Sequence, residues 1–393
     1  MQICIVVNSF PDYTETFVFN KIVALVNKGH KVTVVCFQKG DYLQDIFDQF
    51  AIDQRQLKVL QIPRLRGFAS ILTAILKHPF LFLVSLKFTL RKTKKKFQYK
   101  VQASFFNSLR AKIIYLDSLA VGTYFLPCLD KIKAYKVLGC KSHQDTIDIT
   151  SDEQAIKTLQ QLLKKVDMVH CLATPIRNSL SNLTNQQYSY FIHPPAVDTD
   201  FFTPKPETST EIFFKVLSVG RLSPEKGYLI GLLAVQKLLQ KGIQVKWTIV
   251  GEGSYYKELK AHIANLNLKD HVILIGPRNF VEINALLNKA DCLLHIHTGL
   301  VKISSGFVLE AMSKEVPVIV SDYFAIDGIV TDQVDGLIVP SYNIEGVVEK
   351  MLLLIENSEL RKNIGIAGRK KAVQHFAMKN SADMYHKQYK MLV

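Results

Sequence analysis

In the run Lys215–Gly227, KVLSVGRLSPEKG, an apolar β-branched stretch empties into Gly220 and Arg221, and Lys226 follows at the expected start of a helix. Two fixed positive charges then sit beside a helix N-terminus, where unpaired backbone N–H groups and the helix dipole favour anions. A phosphate or diphosphate suits that chemistry. The same residue types also occur as solvated basic groups in ordinary strand-to-helix loops, so the assignment depends on the elements around them.

Those elements alternate. Strand-like runs in the first half are ICIVVN, KVTVVCF, KVLQI, AKIIYL, YKVLGC, MVHCLA and SYFIHP, and in the second KVLSVG, KWTIVG, VILIG, CLLHIH, PVIVSD and GLIVP. Most are followed by a turn and a helical pattern, the organisation of α/β domains with parallel sheets. Two doubly wound, Rossmann-like domains are therefore expected. Pro194, Pro195, Pro204 and Pro206 with the Ser/Thr-rich tail mark the linker between them. Ligands of open α/β sheets bind at the carboxyl ends of the strands, so two such domains facing across a cleft would place the Gly220–Lys226 loop along it.

The chain has 393 residues, 48% of them hydrophobic, enough for two cores of this kind. Its six cysteines, at 4, 36, 128, 140, 171 and 292, form no C-x-x-C pair and fall mostly in strand-like runs. They read as buried thiols of a reducing compartment. The opening MQICIVVNSFPDY reads as a first strand and not as a signal sequence, and no 18-residue stretch is free of charge and polar breaks.

The formal net charge of +15 is concentrated between Arg55 and Lys141, which holds eighteen lysines and arginines against Asp117 and Asp130. Its densest part, RKTKKKFQYK over Arg91–Lys100, follows the apolar run Phe68–Leu90 directly. Such a pairing suits an anionic membrane surface, where each basic group adds about 1 kcal/mol. It also suits a core-facing helical pair with a solvated basic face. Nucleic-acid binding has no helix-turn-helix, zinc-knuckle or RNP-like pattern behind it.

Several segments then fall into a familiar order: FPDYTETFVFNKIVALVNKGHKVTVVC, VDMVHCLATPIRNSL, AVDTDFFTP, VGRLSPEKG, IVGEGSYYKELK, VILIGP, VLEAMSKEVPVIVSD, VDGLIVP and the closing HFAMKNSADMYHKQYKMLV. In order and spacing they resemble the retaining glycosyltransferases of family 4, glycosyl transferases group 1, with the GT-B fold. The resemblance implies an acceptor-side domain over 1–205, a nucleotide-sugar domain over 206–375, and a tail helix over 376–393 that crosses back to the first. It implies transfer of a sugar from a UDP- or GDP-linked donor to a lipid-linked or polysaccharide acceptor, with retention, and with neither metal nor cofactor. Location would be cytoplasmic, at the inner face of the membrane.

Carried over residue by residue, Gly220, Arg221 and Lys226 match the diphosphate-binding pair and its turn, and Glu310 the ribose-binding carboxylate. Ser304, Ser305 and Gly306 lie in the loop that directs backbone N–H groups at the phosphates. Thr14, Glu15 and Thr16 resemble the Ser-Glu-Thr of the acceptor side, although Thr14 as an N-cap and Glu15 on the helix dipole also have a purely structural reading.

The chain departs from the family pattern at informative places. The Glu expected eight positions before Glu310 is Lys302, the Gly-rich loop reads Phe324, Ala325 and Gly328, and the Gly before Pro-Val-Ile is Glu315. The first-domain His or Arg is replaced by Lys141, with His143 two residues on. No catalytic residue is assigned; Lys302, Lys141 and His143 are the candidates. A diverged GT-B protein that binds a nucleotide sugar or serves as a scaffold is the alternative. Asp198 and Asp200 have D-x-D spacing but sit in the proline-flanked linker, and His295 and His297 lack a third ligand nearby, so no metal site is assigned. Gly251 and Gly253 read as a strand-to-helix turn.

Overall fold

The computed structural model describes residues 1–11, 16–40, 52–53, 55–62, 94–141, 152–204, 213–298, 306–322 and 328–393. Each of the thirteen strand-like runs contains a strand, and the strands form two parallel sheets of seven and six. The first sheet comprises β1 (Gln2–Phe10), β2 (Lys31–Lys39), β3 (Leu57–Gln61), β4 (Ile113–Leu116), β5 (Tyr135–Cys140), β6 (Met168–Cys171) and β7 (Tyr190–Ile192). Its order is β3-β2-β1-β4-β5-β6-β7. The second comprises β8 (Phe214–Val219), β9 (Val245–Val250), β10 (Val272–Leu274), β11 (Cys292–His295), β12 (Val318–Ser321) and β13 (Leu337–Val339), ordered β10-β9-β8-β11-β12-β13.

The central strands are apolar without alternation because both faces are covered: Ile3 through Val7 of β1 are all buried. Strand order reverses between β1 and β4 in the first sheet and between β8 and β11 in the second. Such switch points are where loops at the carboxyl ends part and leave room for a ligand. Asp117 and Lys141 follow β4 and β5, and Gly220 follows β8.

The chain divides into two compact units, one of residues 1–12, 21–194 and 381–393, the other of 13–20 and 195–380. All six cysteines are buried, and no disulfide joins them. Among the described residues no helix is long and apolar enough to cross a membrane. The apolar run Phe68–Leu90 lies outside the described residues. The helix Lys94–Ser108, which takes up the end of the basic run, buries Val101, Phe105 and Phe106, and Phe106 meets Phe125 edge to face at 5.0 Å.

In the first unit a buried polar chain runs through the sheet to the C-terminal segment. His170 Nε2 is 2.9 Å from the His193 carbonyl, which can only accept, so Nε2 carries the proton and Tyr115 Oη, 2.8 Å away, donates to Nδ1. His193 Nε2 lies 2.8 Å from Ser381 Oγ, and Tyr385 covers the His170 and His193 rings edge-on. Burial holds His170 well below its usual pKa and pushes His193 down to about 4. Both rings are therefore neutral.

In the second unit Trp247 of β9 lies under the helix Tyr228–Gln240. A Cβ at Gly231 would stand 2.4 Å from its ring, so glycine admits the indole here. Trp247 Nε1 donates to Ser218 Oγ at 3.0 Å, and Ser218 donates on to the Leu294 carbonyl at 2.6 Å. These bonds join β9, β8 and β11 just beneath the turn that carries Gly220 and Arg221.

Glu315, at the family's glycine position, has φ 59°. It follows the helix Gly306–Ser313, where its N–H donates to the Met312 carbonyl and that of Val316 to the Ala311 carbonyl. This is the left-handed helix stop that glycine fits without steric cost. Left-handed backbone costs a residue with a Cβ about 1–2 kcal/mol. Glu315→Gly is expected to stabilise the second unit by about 1 kcal/mol, raising its melting temperature by about 2–4 °C, as calorimetry would show.

Candidate functional site

After β8 the chain turns at Gly220, exposes Arg221, buries Leu222 and Ser223, and forms one 3-10 turn over Pro224–Lys226. Gly227, at φ 61°, then begins the helix Tyr228–Gln240. Tyr228 Oη donates to the Gly220 carbonyl at 3.2 Å, tying the helix start back to the strand end.

The turn rests against backbone. Gly220 N–H donates to Val250 O at 3.0 Å, Leu222 N–H to Glu252 O at 2.8 Å, and Tyr255 N–H to Leu222 O at 3.1 Å. A Cβ on Gly251 or Gly253 would lie 1.9 Å from the Gly220 carbonyl oxygen or 2.1 Å from that of Leu222. The G-x-G of IVGEGS thus serves close packing of two loops.

Lys226 is half-buried, and its pKa is pushed down to about 8 by desolvation and then by Arg221, against the opposing pull of Glu225. The Arg221 guanidinium is largely exposed, with Nη2 3.6 Å from Glu225 Oε1. Such an exposed pair contributes little. Glu225 also accepts from Ser223 Oγ at 2.6 Å. Two cations thus share one corner with a single carboxylate between them, an arrangement that favours an incoming anion.

β11 ends at His295, so His297 lies past the strand. The Thr298 N–H donates to the Glu225 carbonyl at 2.8 Å, which fastens the segment after β11 to the cationic turn. His295 and His297 are both buried, their rings 6.4 Å apart. Burial first, then Lys226, depresses the proton affinity of each, taking His297 down to about 3. Both rings are neutral. Glu310, in the helix Gly306–Ser313 that connects β11 with β12, is only 1% exposed, which is uncommon for a carboxylate without a specific role.

The structure therefore brings Gly220, Arg221 and Lys226 into one corner and sets Gly306 and Glu310 on a helix of the same unit. Lys141 belongs to the other unit. Thr16 opens the helix Thr16–Asn27, whereas Thr14, Glu15, His143, Lys302, Ser304 and Ser305 lie outside the described residues. Lys141 Nζ is paired with Asp117 Oδ2, and Lys21 Nζ lies 3.9 Å from Oδ1 of the same carboxylate and 3.8 Å from the Tyr115 ring centre. Asp117 and Lys21 are both buried. Sequence reasoning counted Asp117 only as one of two acids in a basic stretch; its position directly after an apolar strand was the signal. In the D-x-D, Asp198 Oδ1 accepts the N–H groups of Asp200 and Phe201 at 3.1 and 3.0 Å and so shapes its own turn.

Residues 201–371 match the family of glycosyl transferases group 1. The uncharacterized glycosyltransferase MJ1178 of Methanocaldococcus jannaschii is 31% identical over 156 residues, 39% of this chain and 41% of that protein. The putative colanic acid biosynthesis glycosyltransferase WcaL of Escherichia coli is 23% identical over 359 residues, 87% of each chain. Among solved structures, Anabaena Alr3699/HepE in complex with UDP and glucose has a TM-score of 0.75 at 17% identity, covering 100% of both chains.

Gly251→Ala is expected to force the two loops apart, destabilising the second unit by about 3 kcal/mol or more. Equilibrium denaturation followed at the buried Trp247 measures this directly.

Proposed function

Because residues 201–371 belong to glycosyl transferases group 1 and the chain has the GT-B fold, we propose that the protein moves a sugar from a nucleoside diphosphate donor to a lipid-linked or polysaccharide acceptor. One observation carries the donor half of this reading: the cationic corner formed by Arg221 and Lys226 at the carboxyl end of β8, beside the strand-order reversal.

Cleavage of the sugar–phosphate bond leaves both bonding electrons on the β-phosphate oxygen. Cations held beside that oxygen stabilise the developing charge without having to reorganise. Arg221 and Lys226 fill this role, and each charge-assisted hydrogen bond contributes about 1.5–3 kcal/mol. An arriving diphosphate also favours the charged form of Lys226, so affinity falls as pH rises through about 8. Glu310 accepts hydrogen bonds from the ribose hydroxyls. The cations of the chain do the work that a divalent metal does in metal-dependent transferases, so the transfer is metal-independent. Retention of anomeric configuration follows the family resemblance.

Thr14, Glu15 and Thr16 are assigned to acceptor contact by the family resemblance, and Lys141 of the first unit, fixed by Asp117, offers an ammonium group at the carboxyl end of β5. WcaL, named for colanic acid biosynthesis, matches along most of this chain and supports a glycan acceptor. The basic excess between Arg55 and Lys141 supports a lipid-borne one.

A thermal-shift screen over UDP, GDP, ADP and their sugars should find one donor class that stabilises the protein by about 2.7 kcal/mol at a hundredfold excess over Kd. Arg221→Ala and Glu310→Gln should each weaken that ligand about tenfold or more. Absence of any nucleotide response would overturn the reading, and binding without turnover on any acceptor would make the protein a binding subunit.

Vesicles of 30% phosphatidylserine should co-sediment the protein at low salt and release it at 0.5 M NaCl, since surface attraction is screened beyond a Debye length. Equal behaviour with neutral vesicles would remove the membrane assignment.

A further inference from the structure

His297 presents a ring that the fold does not use. The residue is 2% exposed, yet among the described residues neither Nδ1 nor Nε2 has a hydrogen-bond partner. Its backbone, by contrast, is held on both sides: the N–H donates to Ser321 Oγ at 3.0 Å and the carbonyl accepts from Ser341 Oγ at 3.0 Å. Asp322 Oδ1 lies 3.1 Å from the same hydroxyl and shares its proton. The Thr298 N–H bond to Glu225 draws this segment onto the 3-10 turn that carries Lys226. The ring is thus fixed in place with its polar atoms unmet.

Buried polar atoms in folded proteins nearly always find partners, and an unmet one destabilises its fold. A residue kept at such a cost points to a partner that arrives from outside. The surroundings define that partner. Lys226 and Arg221 act on the ring from the turn after β8, Glu225 lies between them, and His295 adjoins it from β11. A neutral imidazole beside two cations offers one N–H donor, and the ligand to match it supplies acceptor oxygens and negative charge.

We propose that His297 donates a hydrogen bond to a phosphate oxygen of the bound nucleoside diphosphate, as a third phosphate-side group beside Arg221 and Lys226. This inference rests on the donor-site reading above, and it adds a residue that lies apart from the Gly-Arg turn and from Glu310. The segment after β11 thereby becomes a sensor of the diphosphate, since only an occupied corner completes the bonding of its ring.

The test compares His297→Leu and His297→Asn with the wild-type chain. Wild-type binding is measured first by calorimetry, with the nucleoside diphosphate that gives the largest thermal shift and with the corresponding nucleoside. His297→Leu should melt no lower than wild type without ligand, because it removes an unmet buried group. It should bind the diphosphate about tenfold more weakly while its affinity for the nucleoside stays the same. His297→Asn, which keeps an N–H donor, should recover part of the loss.

Wild-type affinity for the diphosphate in both variants would overturn the inference and leave the donor site standing. A lowered ligand-free melting temperature, with diphosphate and nucleoside affinities falling together, would make His297 a structural residue and overturn it as well. Failure of wild type to bind any nucleoside diphosphate would remove the donor site itself, and this inference with it.

Discussion

Arg221 and Lys226 repel one another, and the fold holds them together nonetheless. The turn that bears them has no freedom to separate the charges, because its carbonyls lie against Gly251 and Gly253 and its helix start is tied back through Tyr228. Part of the repulsion is relieved by Glu225, and part is expressed as a weakened hold of Lys226 on its proton. Burial first, and then the same field, keeps His295 and His297 neutral. The ligand-free corner is therefore set in advance for negative charge. An anion that bound there would meet groups already in place.

The thirteen strands were legible in the sequence for a simple reason. A parallel sheet covered on both faces needs apolar side chains at successive positions, and turn residues must interrupt them where the backbone leaves the sheet. The corner after β8 was legible for a related reason, since strand, turn and helix start are contiguous and their chemistry can be read along the chain. Glu315 stood out as a departure, and its left-handed backbone explains why glycine is the fitting residue at that place.

His297 and Asp117 were opaque because their meaning depends on strand order. Asp117 meets Lys141 because β4 and β5 are neighbours, and His297 approaches Lys226 because β11 pairs with β8 across two intervening strands of sequence. No local pattern encodes such a meeting. CLLHIH reads as one strand-like run, but β11 stops at His295 and His297 lies beyond it. The G-x-G of IVGEGS was recognised as a turn, while the need for it, the carbonyls of another loop, lies outside its own segment.

The first unit is built from both ends of the described chain. Its buried polar chain closes only when Ser381 meets His193 and Tyr385 covers the neighbouring histidine. Residues 195–380, the bulk of the other unit, lie between. On a ribosome that emits the chain from its N-terminus, the half begun first is completed last. The seven-stranded sheet must wait, with its histidine and tyrosine pocket open, while nearly two hundred further residues are synthesised, and a nascent chain stalled before Ser381 would carry every residue of the second unit and an unfinished first one.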